Sequence, residues 1–499
     1  MTSEPTASEV PVQDDQGATT LTGHLGVAGI VFMVIAAAAP LTVIGGNVPI
    51  AIGNGPGAGA PVGFIIAAIV LLLFSVGFVT MTPHVKEAGA FFSYIAKGLG
   101  GRCGLGAAFV ALLAYTAIQV GIYGYIGWAV DDLAKFYGGP VLPWWAWALA
   151  VWAVVGILGY RHIDLSAKVL GVALALEITV VVVMDIAIFA QGGASGISMT
   201  SFTPAAVTSG PLGIAVLFAI TGFIGFEATA VFRDEARDPQ RTIPRATYLA
   251  VLIIGVFYAV SCWAIVEAWG PQNVTAVAQT SLSNGTSMML DTAAKYAGAI
   301  VRDVMQILLV SSLFACVLSF HNVIARYQFT LANKGILPRR LGRVHDKQKS
   351  PHVSSLLQTG TALVFIVVFA VAGLDPLVGV FGSMAGVATV GMVMLLLLTS
   401  IAVPVFFRRH PLARRGRVAT TFVFPALAVV GLSVSMWLVL SNFTLVTGLS
   451  FAVSTALAVI PAVGFIAGLL LPQSRKLAST ESDEGGDGGP HSEPAARSC

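Results

Sequence analysis

Val-Ile-Ala-Ala-Ala-Ala-Pro-Leu-Thr-Val-Ile-Gly-Gly, residues Val34 to Gly46, lies midway along an apolar stretch that runs from 25 to 52. Pro40 has no N–H and its ring crowds the preceding turn, so a helix passing through this stretch is interrupted there. A second interruption is written at Thr221-Gly222-Phe223-Ile224-Gly225-Phe226-Glu227, where two glycines three apart loosen the backbone. Singly, each reads as close helix packing through small residues. Together they carry more, because they fall in the first and sixth of twelve apolar stretches. They occupy matching places if spans 1 to 5 and 6 to 10 form two halves of opposite topology, and an odd number of helices per half does invert the second.

The composition places the chain in a membrane. Of 499 residues, 56% are hydrophobic and 10% charged, with a mean hydropathy of +0.85; soluble domains carry about a quarter charged residues. After the first stretch the apolar runs fall at 60 to 81, 104 to 130, 144 to 160, 168 to 191 and 209 to 232. Six more lie at 247 to 269, 298 to 330, 354 to 373, 377 to 407, 418 to 440 and 446 to 471. They are too long for strands and lack the alternation of a membrane barrel, so they predict helices. Only four cysteines occur, Cys103 and Cys499 in polar segments and Cys262 and Cys316 in apolar ones, which implies no disulfide framework. The first basic residue is Lys86, so no positively charged segment precedes the first apolar run as a cleaved signal peptide requires.

Lysine and arginine set the expected orientation. With a cytoplasmic N-terminus, Lys135, Lys295 and Arg302 fall outside and the other 24 of the 27 basic residues inside. The inner clusters run from Arg233 to Arg245, Arg326 to Lys349 and Arg408 to Arg417. They read as topology signals and lipid-headgroup contacts, so the net charge of +3 gives no argument for nucleic acid. Residues 1–22 and 473–499 read as disordered cytoplasmic tails. Between them lie a first repeat at 23–191, a second at 192–407 and two further helices at 408–472.

Broken lead helices in inverted repeats suit a substrate held at mid-membrane by exposed backbone groups. A half-helix N-terminus offers N–H groups to a carboxylate, and a half-helix C-terminus offers carbonyls to an ammonium group. The residues expected at the substrate are Ala38, Ala39, Pro40, Leu41 and Thr42 from the first span and Ile220, Thr221, Gly222, Phe223 and Gly225 from the sixth.

Residues 222 to 246, Gly-Phe-Ile-Gly-Phe-Glu-Ala-Thr-Ala-Val-Phe-Arg-Asp-Glu-Ala-Arg-Asp-Pro-Gln-Arg-Thr-Ile-Pro-Arg-Ala, closely resemble the Gly-Phe-Glu … Glu … Asn/Asp-Pro-x-Arg-x-Ile-Pro-Arg-Ala signature of the amino acid–polyamine–organocation permeases. Arg326, Asn333-Lys334-Gly335-Ile336-Leu337-Pro338, Arg343-Val344-His345 and Pro351-His352 are similar to that family's loop after the eighth helix. The similarity runs from about 22 to 472 and is of the amino acid permease type. It implies an all-α integral membrane protein of twelve transmembrane helices: a LeuT-like 5+5 inverted-repeat core, discontinuous at helices 1 and 6, plus two extra helices. It also implies alternating-access transport of amino acids or related amines across the cell membrane, driven by an ion gradient or by exchange, with no bound cofactor. Two departures stand out. The first helix carries Ala36 to Ala39 where many members have a Gly-x-Gly break, and Glu177 stands eleven residues after Ser166, where a proton-coupled subset has lysine.

Ionisable groups inside the membrane are costly and point to function. Glu177 lies mid-span and is the coupling candidate, its protonated and deprotonated forms preferring different arrangements of the first and eighth helices. The alternative is a hydrogen-bonded structural acid. Sodium held by Glu177 with Ser311 or Ser312 is the second coupling option, and proton ranks above it. Asp185, nearer the outer end, reads as structural. Glu227 reads as a cytoplasmic gate or as an intrahelical structural group. Tyr115, Gln119 and Tyr123 recur every four residues on the third span, facing either the cavity or a neighbouring helix. His321 and Asn322 read as helix–helix hydrogen-bonding groups.

Other functional classes fit poorly. No repeated selectivity filter marks a channel. Neither His-Glu-x-x-His nor Gly-x-Ser-x-Gly appears, and no catalytic set, metal site or phosphate-binding loop is expected. A nutrient sensor built on a transporter fold shares every core feature and is separated only by the absence of accumulation. The expected partners are a small-molecule substrate and the lipid bilayer.

Overall fold

The computed structural model describes residues 26–85, 90–161, 167–227, 229, 236–345, 350–414 and 416–471. Both tails lie outside these residues, as do Ser166 and the stretch of the signature that holds Arg233, Asp234 and Glu235. Among the described residues the regular structure is helical, with no strand. Ten helices are long and apolar enough to cross a membrane. The protein is a multi-pass membrane protein.

Twelve helices correspond to the twelve apolar stretches. They are α1 (Val27–Ala38), α2 (Ala60–Met81), α3 (Gly101–Phe136), α4 (Trp144–Tyr160), α5 (Ala167–Ala190) and α6 (Leu212–Gly222). The second six are α7 (Pro239–Trp269), α8 (Ala299–Asn333), α9 (His352–Val371), α10 (Ser383–Arg409), α11 (Phe424–Ser441) and α12 (Phe451–Leu470). Three of them, α1, α4 and α6, are shorter than a full crossing, and the first span reaches that length only with the helical turns that continue α1 to Gly53. For α6 the reason is local: the expected stretch of 209 to 232 stops being helical at Gly222 and continues as turns.

Burial sorts the helices into an inner and an outer group. Every residue of α6 from Gly213 to Gly222 is buried, and most of α3 is as well. Helices apolar on every side and enclosed by protein belong at a bundle centre. At 36 residues, α3 is about 54 Å long, so it outreaches the hydrocarbon layer of about 30 Å and packs along α8, α10 and α12. In contrast, α9, α11 and α12 expose rows of large apolar side chains, among them Val364, Val368, Val430, Trp437 and Val463, a surface suited to lipid tails and not to water.

Shorter helices also lie in the connections, among them Ala90–Leu99, Val274–Asn284 and Met288–Tyr296. The last is capped by Ser287, whose hydroxyl accepts the Leu290 N–H, with Asp291 in its first turn and Lys295 in its last.

Candidate functional site

The first span departs from regular helix where Pro40 requires it. Because Pro40 supplies no N–H, the Ala36 carbonyl is reached instead by the Ala39 N–H, at 3.2 Å. Ala39 takes the left-handed conformation, φ 47° and ψ 74°, the one non-glycine residue with positive φ among those described. The chain then resumes as a short turn at Pro40–Thr42, a π-helical turn at Val43–Asn47 and an α-helical turn at Val48–Gly53. The end of α1 is held from α7, where the Tyr258 hydroxyl donates to the Ala38 carbonyl at 3.0 Å. Beyond the break, Asn47 Nδ2 donates to the Phe218 carbonyl of α6 at 2.8 Å. That bond ties the two interrupted spans together.

The glycine pair after the break lets α3 approach. A Cβ on Gly45 would stand 2.6 Å from the Tyr125 hydroxyl, and one on Gly46 2.6 Å from Tyr125 Cε1. In the sixth span, turns run from Phe223 to Glu227, with Gly225 at φ 111°. A Cβ on Gly225 would lie 3.1 Å from the Cβ of Ala37, and one on Gly222 would lie 3.0 Å from Val43 Cγ1. The two interruptions therefore face each other in contact.

Between them lies a cavity of about 30 Å³. Its wall takes Ala37, Ala38, Ala39, Thr42, Val43 and Asn47 from the first span and Thr221 and Ile224 from the sixth. The remainder comes from Ile118 and Ile122 on α3, Cys316 and Phe320 on α8, and Phe381 in the turn leading into α10. Two wall atoms are buried without a hydrogen-bond partner: the Thr42 hydroxyl and Asn47 Oδ1. Thr221 donates to the Leu217 carbonyl of its own helix and pairs with the Thr389 hydroxyl of α10.

Two buried acids lie near the breaks. Glu177 on α5 accepts from the Ser312 hydroxyl of α8 at 3.0 Å, and the Leu41 N–H also faces its carboxyl group. An unbroken helix would aim that N–H at Ala37, so the interruption at Pro40 frees it for Glu177. Glu227 receives the Tyr115 hydroxyl of α3 at 2.7 Å on one oxygen and the Gly225 N–H at 2.9 Å on the other.

The two broken segments thus share a small cavity, with two buried carboxyl groups near the breaks. A model of the amino acid permease family matches residues 29–472, nearly the whole chain. The chain belongs to the amino acid permease family. The permease is therefore a transporter-family protein and not an enzyme. An uncharacterized transporter of Mycobacterium bovis is 24% identical over 339 residues, 61% of the permease and 66% of that relative. One of Mycobacterium tuberculosis is 26% identical over 308 residues, 60% and 64% of the two chains. A protein of Escherichia coli K12 named a low-affinity putrescine importer, PlaP, is 22% identical over 318 residues, 61% and 66%. The permease spans just under two thirds of the length of these relatives.

Of the residues named from the sequence, Ala38, Ala39, Thr42 and Thr221 are in the cavity wall; Pro40, Leu41, Ile220, Gly222, Phe223 and Gly225 shape the interruptions without lining it. Gln119 points elsewhere. Its Nε2 donates to the Val317 carbonyl and its Oε1 accepts from Gln358 of α9, so it joins α3 to α8 and α9. Ser311 is exposed on the outside of α8 and bonds its own helix at Leu308, leaving Ser312 as the hydroxyl on Glu177. Asp185 accepts from Ser261 of α7 at 2.6 Å, and His321 pairs with Ser355 of α9 at 2.8 Å. The sequence reading missed Ala37, Val43, Asn47, Ile118, Ile122, Ile224, Cys316, Phe320 and Phe381. Asn47 alone carried a signal, a lone amide inside an apolar run shortly after a break.

Proposed function

We propose that the permease is a secondary active transporter that moves amino acids or related amines across the cell membrane by alternating access, coupled to protons through Glu177. The reading includes a 5+5 inverted-repeat core with two further helices, discontinuous at the first and sixth spans, and with both termini cytoplasmic. The single observation that carries this reading is the bridge made by Glu177. Its carboxyl group meets Leu41 at the first break and Ser312 on α8, so gaining or losing a proton there changes a contact between the broken helix and its neighbour. Such a group biases one of two arrangements by its differential interaction with them. Ser311 faces outward, which leaves fewer oxygen ligands for sodium beside Glu177 and favours the proton. The relative named a putrescine importer brings amines within the range of solutes to test.

The test is uptake of labelled amino acids and amines by reconstituted vesicles under an imposed pH gradient, acid outside. Accumulation that collapses with a protonophore is expected. Binding without accumulation under any pH, sodium or exchange gradient would instead establish a sensor on a transporter fold.

A further inference from the structure

The transport reading leaves open which solutes fit, and the cavity wall bears on that question. Among the described residues no charged side chain lines it. The two nearby acids stand outside the wall, one Glu177 oxygen accepting from Ser312 and the two Glu227 oxygens from Tyr115 and the Gly225 N–H. An ionised group moved from water into such a place is costly unless it meets an opposite charge or several hydrogen-bond partners.

A zwitterionic amino acid brings its own opposite charges, held close together, and the break meets both ends. The break leaves the Ala37 carbonyl at the C-terminal end of α1 as the acceptor for an ammonium group, since the Ala38 carbonyl accepts from Tyr258. The two unpartnered wall atoms complement this. Asn47 Oδ1 is an acceptor and the Thr42 hydroxyl can donate to a carboxylate, and both residues are buried, at 2% and 6% exposure. Away from these groups the wall is Ile118, Ile122, Phe320 and Phe381. A second ammonium group, as in a diamine or a lysine side chain, would end among these apolar groups with no counter-charge. The same holds for a second carboxylate.

We infer that, within the transport reading above, the site selects small zwitterionic amino acids with uncharged aliphatic or hydroxyl-bearing side chains, with Thr42 and Asn47 holding the head group, and rejects diamines and amino acids with charged side chains. This separates the permease in specificity from its relative named a putrescine importer.

Two measurements on the wild-type protein test this. The first is competition for uptake in vesicles, with alanine, serine, valine, lysine, glutamate and putrescine at equal concentration. The second reads binding alone: a small methanethiosulfonate reagent modifies Cys316 in the cavity wall, and mass spectrometry follows the peptide that carries it with and without each solute. Alanine, serine or valine should compete at least tenfold better than putrescine, lysine or glutamate, and should slow Cys316 modification when the charged solutes do not. Thr42→Val should weaken that protection about tenfold. Putrescine or lysine competing as well as alanine overturns the selectivity and leaves transport standing. Protection by neutral amino acids without accumulation overturns transport and leaves the selectivity standing. Neither protection nor accumulation overturns both.

Discussion

Glu177 and Tyr115 are the side chains whose removal reads most directly. Glu177→Gln keeps the shape and a hydrogen-bonding partner for Ser312 but carries no titratable proton. Gradient-driven uptake is expected to fall at least a hundredfold while solute exchange and binding persist; wild-type proton-driven accumulation in the variant would remove Glu177 from coupling. Tyr115→Phe deletes the 2.7 Å bond to Glu227 and leaves a buried carboxyl oxygen short of a partner, at a cost of about 1–3 kcal/mol. Its midpoint of thermal unfolding in detergent should fall by a few degrees, and an unchanged midpoint would show that water replaces the phenol. At this scale the sequence was legible where a residue contrasts with its surroundings. An acid in the run from Leu170 to Val183 stands out because burial makes it costly. Ile118, Cys316, Phe320 and Phe381 did not stand out, since an apolar residue facing a cavity has the same chemistry as one facing lipid. Gln119 misled for a related reason: a buried amide needs a partner, and the Val317 carbonyl and Gln358 served it as well as a solute would.

The interruptions follow from local backbone chemistry, and each makes a prediction about its own element. Ala39 holds a left-handed conformation, which costs an L-residue with a Cβ about 1–2 kcal/mol, while glycine there adds unfolded-state freedom worth about 0.4–1 kcal/mol. Ala39→Gly should therefore leave stability unchanged or raise it by up to about 1 kcal/mol, measured as the unfolding midpoint; a marked loss would mean that Ala39 is not left-handed. Gly225→Ala has the opposite sense. At φ 111°, with the Ala37 Cβ 3.1 Å from the new methyl group, the strain of about 1–3 kcal/mol falls on the contact between the two breaks. Solute affinity should drop tenfold or more with the bundle still folded, and normal affinity would return Gly225 to a packing role. Element positions were readable from apolar length, and the first break from Pro40. The end of α6 at Gly222 was readable as a loosening only, because glycine permits a turn without compelling one. The helix Met288–Tyr296 went unseen because nine residues with a mixed face give too little periodicity to separate from a loop.

Across the whole molecule, charge decides which end of the bundle meets the cytoplasm, and with it which end of the cavity opens inward. The charged side chains of the connection after α3 and of the start of α8 are satisfied locally: Lys135 pairs with Asp131, Gln306 donates to Asp132 and Arg302 pairs with Asp303. The opposite end carries the unbalanced arginines, Arg339, Arg340 and Arg343 after α8 and Arg408, Arg409 and Arg417 after α10. Since loops rich in Lys and Arg are retained on the cytoplasmic side while loops poor in them are translocated, the connections after α8 and α10 should be inside and the connection after α3 outside. Tyr137 and Arg417 are exposed at these two ends, so Tyr137→Cys and Arg417→Cys report the two faces. In intact cells a membrane-impermeant maleimide should modify the cysteine at 137, and the one at 417 should react only after lysis. The reverse pattern would invert the bundle.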